Sequence, residues 1–315
     1  MKRKTKQRSQ PLRTLFSAVG ALFMLFACIV TLNDTMRLPF IPTWDELFVQ
    51  SGFREDIQLP DSQLRMTVLD VGNADAILLQ NGDRFALVDA GERDDGDELV
   101  AFFRRVGITR LDYLIATHPD SDHIGGMADV VNAVDIGTFL MPFMPEGYTP
   151  TTRVYEDLLT ALIEKEITPV DPSFGDNFAF GDARIDILSG LSEHTETNEQ
   201  SIVCRIVFGA HRFLMMGDAG KEVEQELLEN GVDLRADVIK IGHHGSRSSS
   251  TKRFIQAVSP RYALITCGLG NSYNHPHSET LSTLRSQSVE VYRSDQHGEI
   301  TLVSDGQTLT VETKK

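Results

Sequence analysis

At 315 residues the chain is long enough to bury a sizeable core, and 41% hydrophobic with 24% charged residues is the composition of a globular protein, not a disordered or fibrous one. The formal net charge of -15 is unevenly spread: residues 1–63 carry eight Lys/Arg and six Asp/Glu, the remainder 22 and 39. So acidic a body argues against a protein that grips a phosphate backbone by charge alone, and Cys28, Cys204 and Cys267 match no zinc-ribbon or redox spacing.

The first element in the chain reads as a membrane address. Lys2, Arg3, Lys4, Lys6, Arg8 and Arg13 precede an uncharged run of 18 residues, Leu15 to Leu32, just long enough to span a bilayer with its basic flank in the cytoplasm. This predicts a basic cytoplasmic tail over 1–14 and a single-pass transmembrane helix over 15–32. The body would then be extracytoplasmic, and membrane-anchored because no small-x-small cleavage signal is evident. Residues 33–63, with Pro39, Pro42 and Pro60, read as a linker in which Trp44, Leu47 and Phe48 suit a short helix.

A folded domain is predicted over 64–313. Strands are expected at Arg65–Asp70, Ala76–Leu79, Arg84–Asp89 and Leu111–Ala116, with Asn81-Gly82 as a hairpin turn and a helix over Glu98–Val106 stopped by Gly107. Later strands are expected at Arg184–Leu188, Ile202–Val207, Arg212–Met216, Val238–Ile241 and Tyr262–Thr266. Helices are expected at Lys221–Leu228, Lys252–Val258 and Ser278–Ser286. Val289–Tyr292, Glu299–Val303 and Thr308–Val311 close the chain with strands. Strands interleaved with helices in two similar halves predict an α/β sandwich of sheets with helices on the outer faces.

Chemistry-bearing residues gather where apolar strands end. His118-Pro119-Asp120-Ser121-Asp122-His123 packs four candidate metal ligands into six residues, followed by Gly125-Gly126. Such crowding of imidazoles and carboxylates suits a cation between them better than a polar surface loop. Asp89 ends another strand, as a ligand or, more fittingly, as a group orienting the next loop. Asp218 follows Met215-Met-Gly217, where it could bind a metal or cap the helix from Lys221. His243 and His244 lie between Gly242 and Gly245-Ser246. Asn198, with His194 four residues earlier, precedes the strand at Ile202. His275 lies in the polar loop Asn271–His277 and reads equally as an acid/base group or a loop histidine.

Together these motifs make the resemblance specific. The order Asp89, His118-x-Asp120-x-Asp122-His123, Gly217-Asp218, His243-His244-Gly245-Ser246 is similar to the metallo-β-lactamase fold. More narrowly it resembles the C-terminal hydrolase domain of ComEC-type DNA-uptake competence proteins. Val68–Asp75, Thr117–Gly126, Lys240–Ser246, Asn271–Pro276 and Tyr292–Ile300 carry the match over about residues 64–313. Two departures from the general fold pattern stand out. Asp120 replaces the second histidine, and Asn198 stands in the third-motif position unless His194 reaches it. Both enrich the site in oxygen and make manganese or magnesium plausible beside zinc.

The resemblance implies a four-layer αββα sandwich and two divalent metal ions, zinc or manganese. It assigns His118 and Asp120 to one ion, Asp122, His123 and His244 to the other, and Asp218 as the bridge. It implies Asp122, His243, Asn198 and His275 as catalytic groups and Ser246 as a contact for developing charge, with metal-activated water attacking a phosphate ester, DNA among the candidates. The expected function is thus an extracytoplasmic phosphoesterase of phosphodiesterase or nuclease type. The alternatives are a lactonase or lactamase acting on acyl bonds, and a non-catalytic metal-stabilised binding module.

Overall fold

Period-two alternation decides which strand residues face inward, and two sheets result. The structure is a computed structural model that describes residues 10–36, 41–44, 47–48, 51–52, 57–145 and 147–315. The chain divides into two compact units, residues 1–56 with 105–107, and residues 57–104 with 108–315.

In the first unit a helix, α1, runs over Gln10–Met36. Among the described residues no helix is long and apolar enough to cross a membrane. The single-pass transmembrane anchor and the extracytoplasmic placement expected from residues 15–32 are therefore corrected. The apolar run is barely the length of a span, about 20 residues, and polar side chains at its end have protein partners. Asn33 Nδ2 donates to Ile41 O at 2.6 Å, and Trp44 Nε1 donates to Thr31 Oγ1 at 3.0 Å. The Trp44 and Phe48 rings stack at 5.9 Å, as the short helical spacing suggested. The expected basic tail lies outside the described residues over 1–9, as does part of the expected linker.

The second unit opens with β1 (Leu64–Val68), β2 (Ile77–Asn81) and β3 (Arg84–Val88), antiparallel in turn. The hairpin turns on Gly82-Asp83, one place beyond the expected Asn81-Gly82, with Gly82 at φ 60°. Asn81 stays in the strand because its buried amide is fully used. Nδ2 donates to Asp61 O and Gln63 O, and Oδ1 accepts from Asp182 N, each at 2.7 Å. Helix α2 (Asp95–Val106) then leads to β4 (Arg110–Ile115), parallel to β3. The short α3 (Ser121–Ile124) and α4 (Met127–Ala133) return the chain to β5 (Asp135–Leu140). With β13 (Ile300–Ser304) and β14 (Leu309–Thr313) these form one seven-stranded sheet in the order β14-β13-β1-β2-β3-β4-β5.

After α5 (Arg153–Glu164) come β6 (Asn177–Phe180), β7 (Ala183–Ile187), β8 (Cys204–Phe208) and β9 (His211–Met215), then α6 (Lys221–Glu229). β10 (Val238–Lys240), α7 (Lys252–Val258), β11 (Tyr262–Ile265), α8 (Ser278–Ser286), β12 (Glu290–Arg293) and the single turn α9 (Ser294–His297) complete it. The second sheet runs β12-β11-β10-β9-β8-β7-β6, with β9 to β12 parallel.

The faces of the two sheets share one buried cluster, with Met66, Val68, Leu79 and Ile300 from the first and Ile185, Ile206, Phe213 and Leu264 from the second. On the other face of the second sheet, Leu214, Ile239 and Ala263 pack with Val223 and Leu227 of α6, Phe254 and Val258 of α7 and Leu284 of α8. The parallel strands explain the helices, since each return crossover must cover a face of the sheet. The architecture is the α/β sandwich that the pattern predicted.

Candidate metal centre

Every predicted ligand lies just beyond the C-terminal end of a strand or in the short turn after it. His118 follows β4, with Asp122 and His123 on α3. Asp218 follows β9, and His243-His244 follow β10 in a distorted turn over Gly242–Gly245. The strands of both sheets therefore deliver their ends to one place. The join is made by backbone, Ile202 N donating to Thr117 O at 2.8 Å.

Among the described residues, three groups of side chains offer ligand atoms within 4.8 Å of one another: His118 with His123 and Asp218, Asp122 with His123 and His244, and Asp75 with Asp89 and His123. In the first two, His123 Nε2 lies 3.3 Å from Asp218 Oδ1, and His244 Nε2 lies 3.3 Å from Asp122 Oδ2 and 3.6 Å from Asp218 Oδ2. His118 Nε2, His123 Nε2, His244 Nε2 and Asp218 Oδ1 are buried and have no hydrogen-bond partner. Buried polar atoms are rarely left so.

The other ring nitrogen of each histidine is held by protein. His123 Nδ1 donates to Asp89 Oδ2 at 2.7 Å, and His244 Nδ1 to Thr266 O at 3.0 Å. Thr117 Oγ1 donates to Asp89 Oδ2 at 2.7 Å, which leaves it to accept from His118 Nδ1 at 3.1 Å. These bonds fix the tautomer that turns each Nε2 lone pair into the cluster. The donor set fits a divalent cation: three imidazole nitrogens and the Asp218 carboxylate converge with nothing else to satisfy them. The third group does not fit one, because Asp75 and Asp89 are already engaged by Lys240, Thr266, Thr117 and His123.

Without a cation the carboxylates draw protons onto two of the three imidazoles, His123 and His244, which a bound metal would displace. Burial and the His123 charge push His118 down to about 3, keeping it neutral as a ligand must be. Burial opposes charge on His123, but Asp218 and Asp89 outweigh it and raise it well above the ordinary imidazole value. Asp122 is driven down to about 2 against its burial by the neighbouring His244 and His123 rings.

The remaining expected residues take other places. Asp120 Oδ2 lies 3.7 Å from His118 Nε2 and its side chain is 39% exposed, so it stands at the rim and belongs to none of the three groups. Asn198 Nδ2 donates to His243 Nδ1 at 3.2 Å. His194 is turned away, with Nε2 3.4 Å from Glu226 Oε2, so it does not fill the third-motif position. His243 Nε2 lies 3.7 Å from Asp218 Oδ2. His275 brings its ring within 5.5 Å of His243 and 6.2 Å of His244, between centroids. Burial and the charges of His243 and His244 push it down to about 4, so it is a neutral ring at neutral pH. Ser246 is buried near His243, its Oγ bonded by Ser248.

Asp89 is placed as an orienting group, accepting from Thr117 N at 2.8 Å as well as from Thr117 Oγ1 and His123. Its φ of 59°, with 50° at both His243 and His244, puts three non-glycine residues of the site in the left-handed region, a strain that surrounding structure must hold. Gly125 and Gly126 allow close approach of the α3 turn to the loop before α2. A Cβ on Gly126 would sit 2.5 Å from Ala90 O, and one on Gly125 would overlap the backbone of Glu92 and Arg93.

Sequence reasoning missed the layer behind the ligands. Lys240 Nζ and Asp75 Oδ2 form a pair at 2.7 Å, exposed by only 1% and 2%. Asp75 also accepts from the Thr266 hydroxyl and lies 3.5 Å from His244 Nδ1, while its backbone N donates to Asp122 O at 3.0 Å. The available signal was a lone lysine in the strand Val238-Ile-Lys240-Ile and a lone aspartate between Ala74 and Ala76, opposite charges in two apolar runs.

Comparison with known proteins agrees with this geometry. The sequence profile of the metallo-beta-lactamase superfamily matches residues 69–268. ComE operon protein 3 of Bacillus subtilis (strain 168) is 34% identical over 203 residues, 64% of this chain and 26% of that protein. Competence protein ComA of Neisseria gonorrhoeae is 28% identical over 242 residues, 76% of this chain and 32% of that one. The chain thus spans about a quarter to a third of the curated relatives it matches. Among solved structures, CmlA, a diiron beta-hydroxylase from Streptomyces venezuelae, matches with a TM-score of 0.53 at 16% identity, over 76% of this chain and 54% of that one; this likeness concerns the fold.

Proposed function

This chain belongs to the metallo-β-lactamase superfamily, and from that premise we propose that it is a metal-dependent phosphoesterase acting on phosphodiesters. One observation carries the reading. The three imidazoles each have Nδ1 held by protein and Nε2 left unpartnered toward Asp218, beside the carboxylates of Asp122 and Asp120. We assign His118, Asp120 and Asp218 to one divalent ion and Asp122, His123 and His244, with Asp218 between, to a second. When bound, such ions supply Lewis-acid charge that lowers the pKa of a shared water and neutralises ester oxygens. The carboxylates favour harder ions, manganese beside zinc, and hard ions favour phosphate oxygens.

The chain's own groups would do the rest. Asp122, held ionised, orients the attacking water as an acceptor. Asn198 Nδ2 donates to His243 Nδ1 at 3.2 Å, so this nitrogen accepts and the proton is on Nε2, 3.7 Å from Asp218 Oδ2. That N–H suits a phosphoryl oxygen gaining charge. His275, neutral at neutral pH, offers the leaving oxygen a hydrogen bond in place of a stored proton.

The test is a substrate panel for the full chain loaded with manganese or zinc: a phosphodiester, a phosphomonoester, single- and double-stranded DNA, and a lactone. Turnover of the phosphodiester is the expected result. Turnover of the lactone alone would overturn the reading in favour of acyl hydrolysis, and metal binding without any turnover would leave a binding module.

A further inference from the structure

The loop after β11 extends the metal site outward through one residue that the hydrolytic chemistry does not use, Tyr273. His244, His275 and Tyr273 present near-parallel rings. The His244 and His275 centroids lie 6.2 Å apart at 21°, and those of Tyr273 and His275 5.6 Å apart, also at 21°. Exposure rises along the series, from 1% at His244 to 8% at His275 and 65% at Tyr273. The rings therefore lead from a proposed metal ligand out to solvent, and the outermost offers its surface to whatever approaches.

The loop is built to hold that position. Asn271 Nδ2 donates to Gly268 O at 2.9 Å and to His275 O at 2.7 Å, while Asn271 Oδ1 accepts from His275 N at 2.9 Å. His277 N donates to Gly245 O at 3.0 Å, which ties the loop to the turn bearing His243 and His244. A large aromatic ring so exposed on so braced a loop has no packing role to explain it. A second observation points the same way. His275, the ring on which Tyr273 stacks, has its Nδ1 buried and unpartnered.

Building on the phosphodiester reading, we infer that Tyr273, backed by the His275 ring, forms a subsite that takes a flat aromatic or heteroaromatic ring carried by the ester. A ligand ring stacked in offset fashion on the exposed Tyr273 ring would sit about 4.5–7 Å from it between centroids. The subsite would select among phosphate esters by the group attached to phosphorus and would leave the reaction itself to the metal centre. Tyr273 is thus a specificity-determining residue.

The test is calorimetric binding of dimethyl phosphate and methyl phenyl phosphate to the metal-loaded full chain. Both are phosphodiesters, so their ratio reads the ring alone. Wild type should bind methyl phenyl phosphate more tightly by roughly tenfold. Tyr273→Phe should keep that ratio and Tyr273→Ala should bring it toward one. An equal affinity for the two esters in wild type, or an undiminished ratio in Tyr273→Ala, overturns the subsite and leaves the phosphoesterase reading standing. Failure of both esters to bind would sink that reading and the subsite with it.

Discussion

Replacing Lys240 by Met should destabilise the protein more than its surroundings suggest, because it strands a charge. Lys240 Nζ and Asp75 Oδ2 lie 2.7 Å apart, both buried. At an effective dielectric of about 20 that separation gives roughly 6 kcal/mol of gross attraction. Much of this offsets the cost of burying the two ions, so the pair itself contributes little net stability, yet removing one partner leaves Asp75 uncompensated at a cost of about 3–5 kcal/mol. Burial works to raise the Asp75 carboxyl, and Lys240, then His244 and His123, outweigh it and hold it below the ordinary value. Its ionised form therefore stabilises the fold above about pH 4, and that contribution is lost as pH falls through the lower folded-state value. Urea denaturation at pH 7 should show the deficit, and the deficit should shrink toward pH 3. In a double-mutant cycle, Asp75→Leu with Lys240→Met should recover at least about 2 kcal/mol relative to the sum of the single changes. A Lys240→Met loss under about 1 kcal/mol, or additive singles, would refute the reasoning.

Gly126→Ala should cost about 1–3 kcal/mol in the same assay, because the new Cβ meets Ala90 O and the loop held by Ala90 N to His123 O must shift; metal affinity should fall with it. Thr152→Ala, which removes the cap on α5 where Oγ1 accepts from Tyr155 N, should lower stability by about 1 kcal/mol with metal binding unaltered. Asp120→His should shift the metal preference from manganese toward zinc in competition titrations, since it exchanges a hard oxygen for nitrogen; an unchanged preference would remove Asp120 from the proposed ligand set.

The legible parts of the fold were those with strong local signals. The strands ending at Val88, Ile115, Met215 and Lys240 announce themselves as apolar runs closing on Gly, His or Asp, and the site sits at those ends. Residues 127–180 stayed unassigned. There β5 alternates weakly as Asp135-Ile-Gly-Thr-Phe-Leu140, and β6 is an edge strand of four residues, so tertiary pairing decides both. In the site, the ligand run was readable because six residues carry it, whereas the Asp75–Lys240 pair joins positions 75 and 240 and no local pattern can show it. The apolar run at 15–32 misled because it only just reaches the length of a span, and among the described residues no helix is long and apolar enough to cross a membrane.

Metal content tests the central claim most directly. The 315-residue chain exposed to excess manganese or zinc and then freed of unbound ion should retain two ions per chain by elemental analysis, and Asp218→Asn should retain fewer while still folding. A folded wild-type chain that retains none would contradict the account.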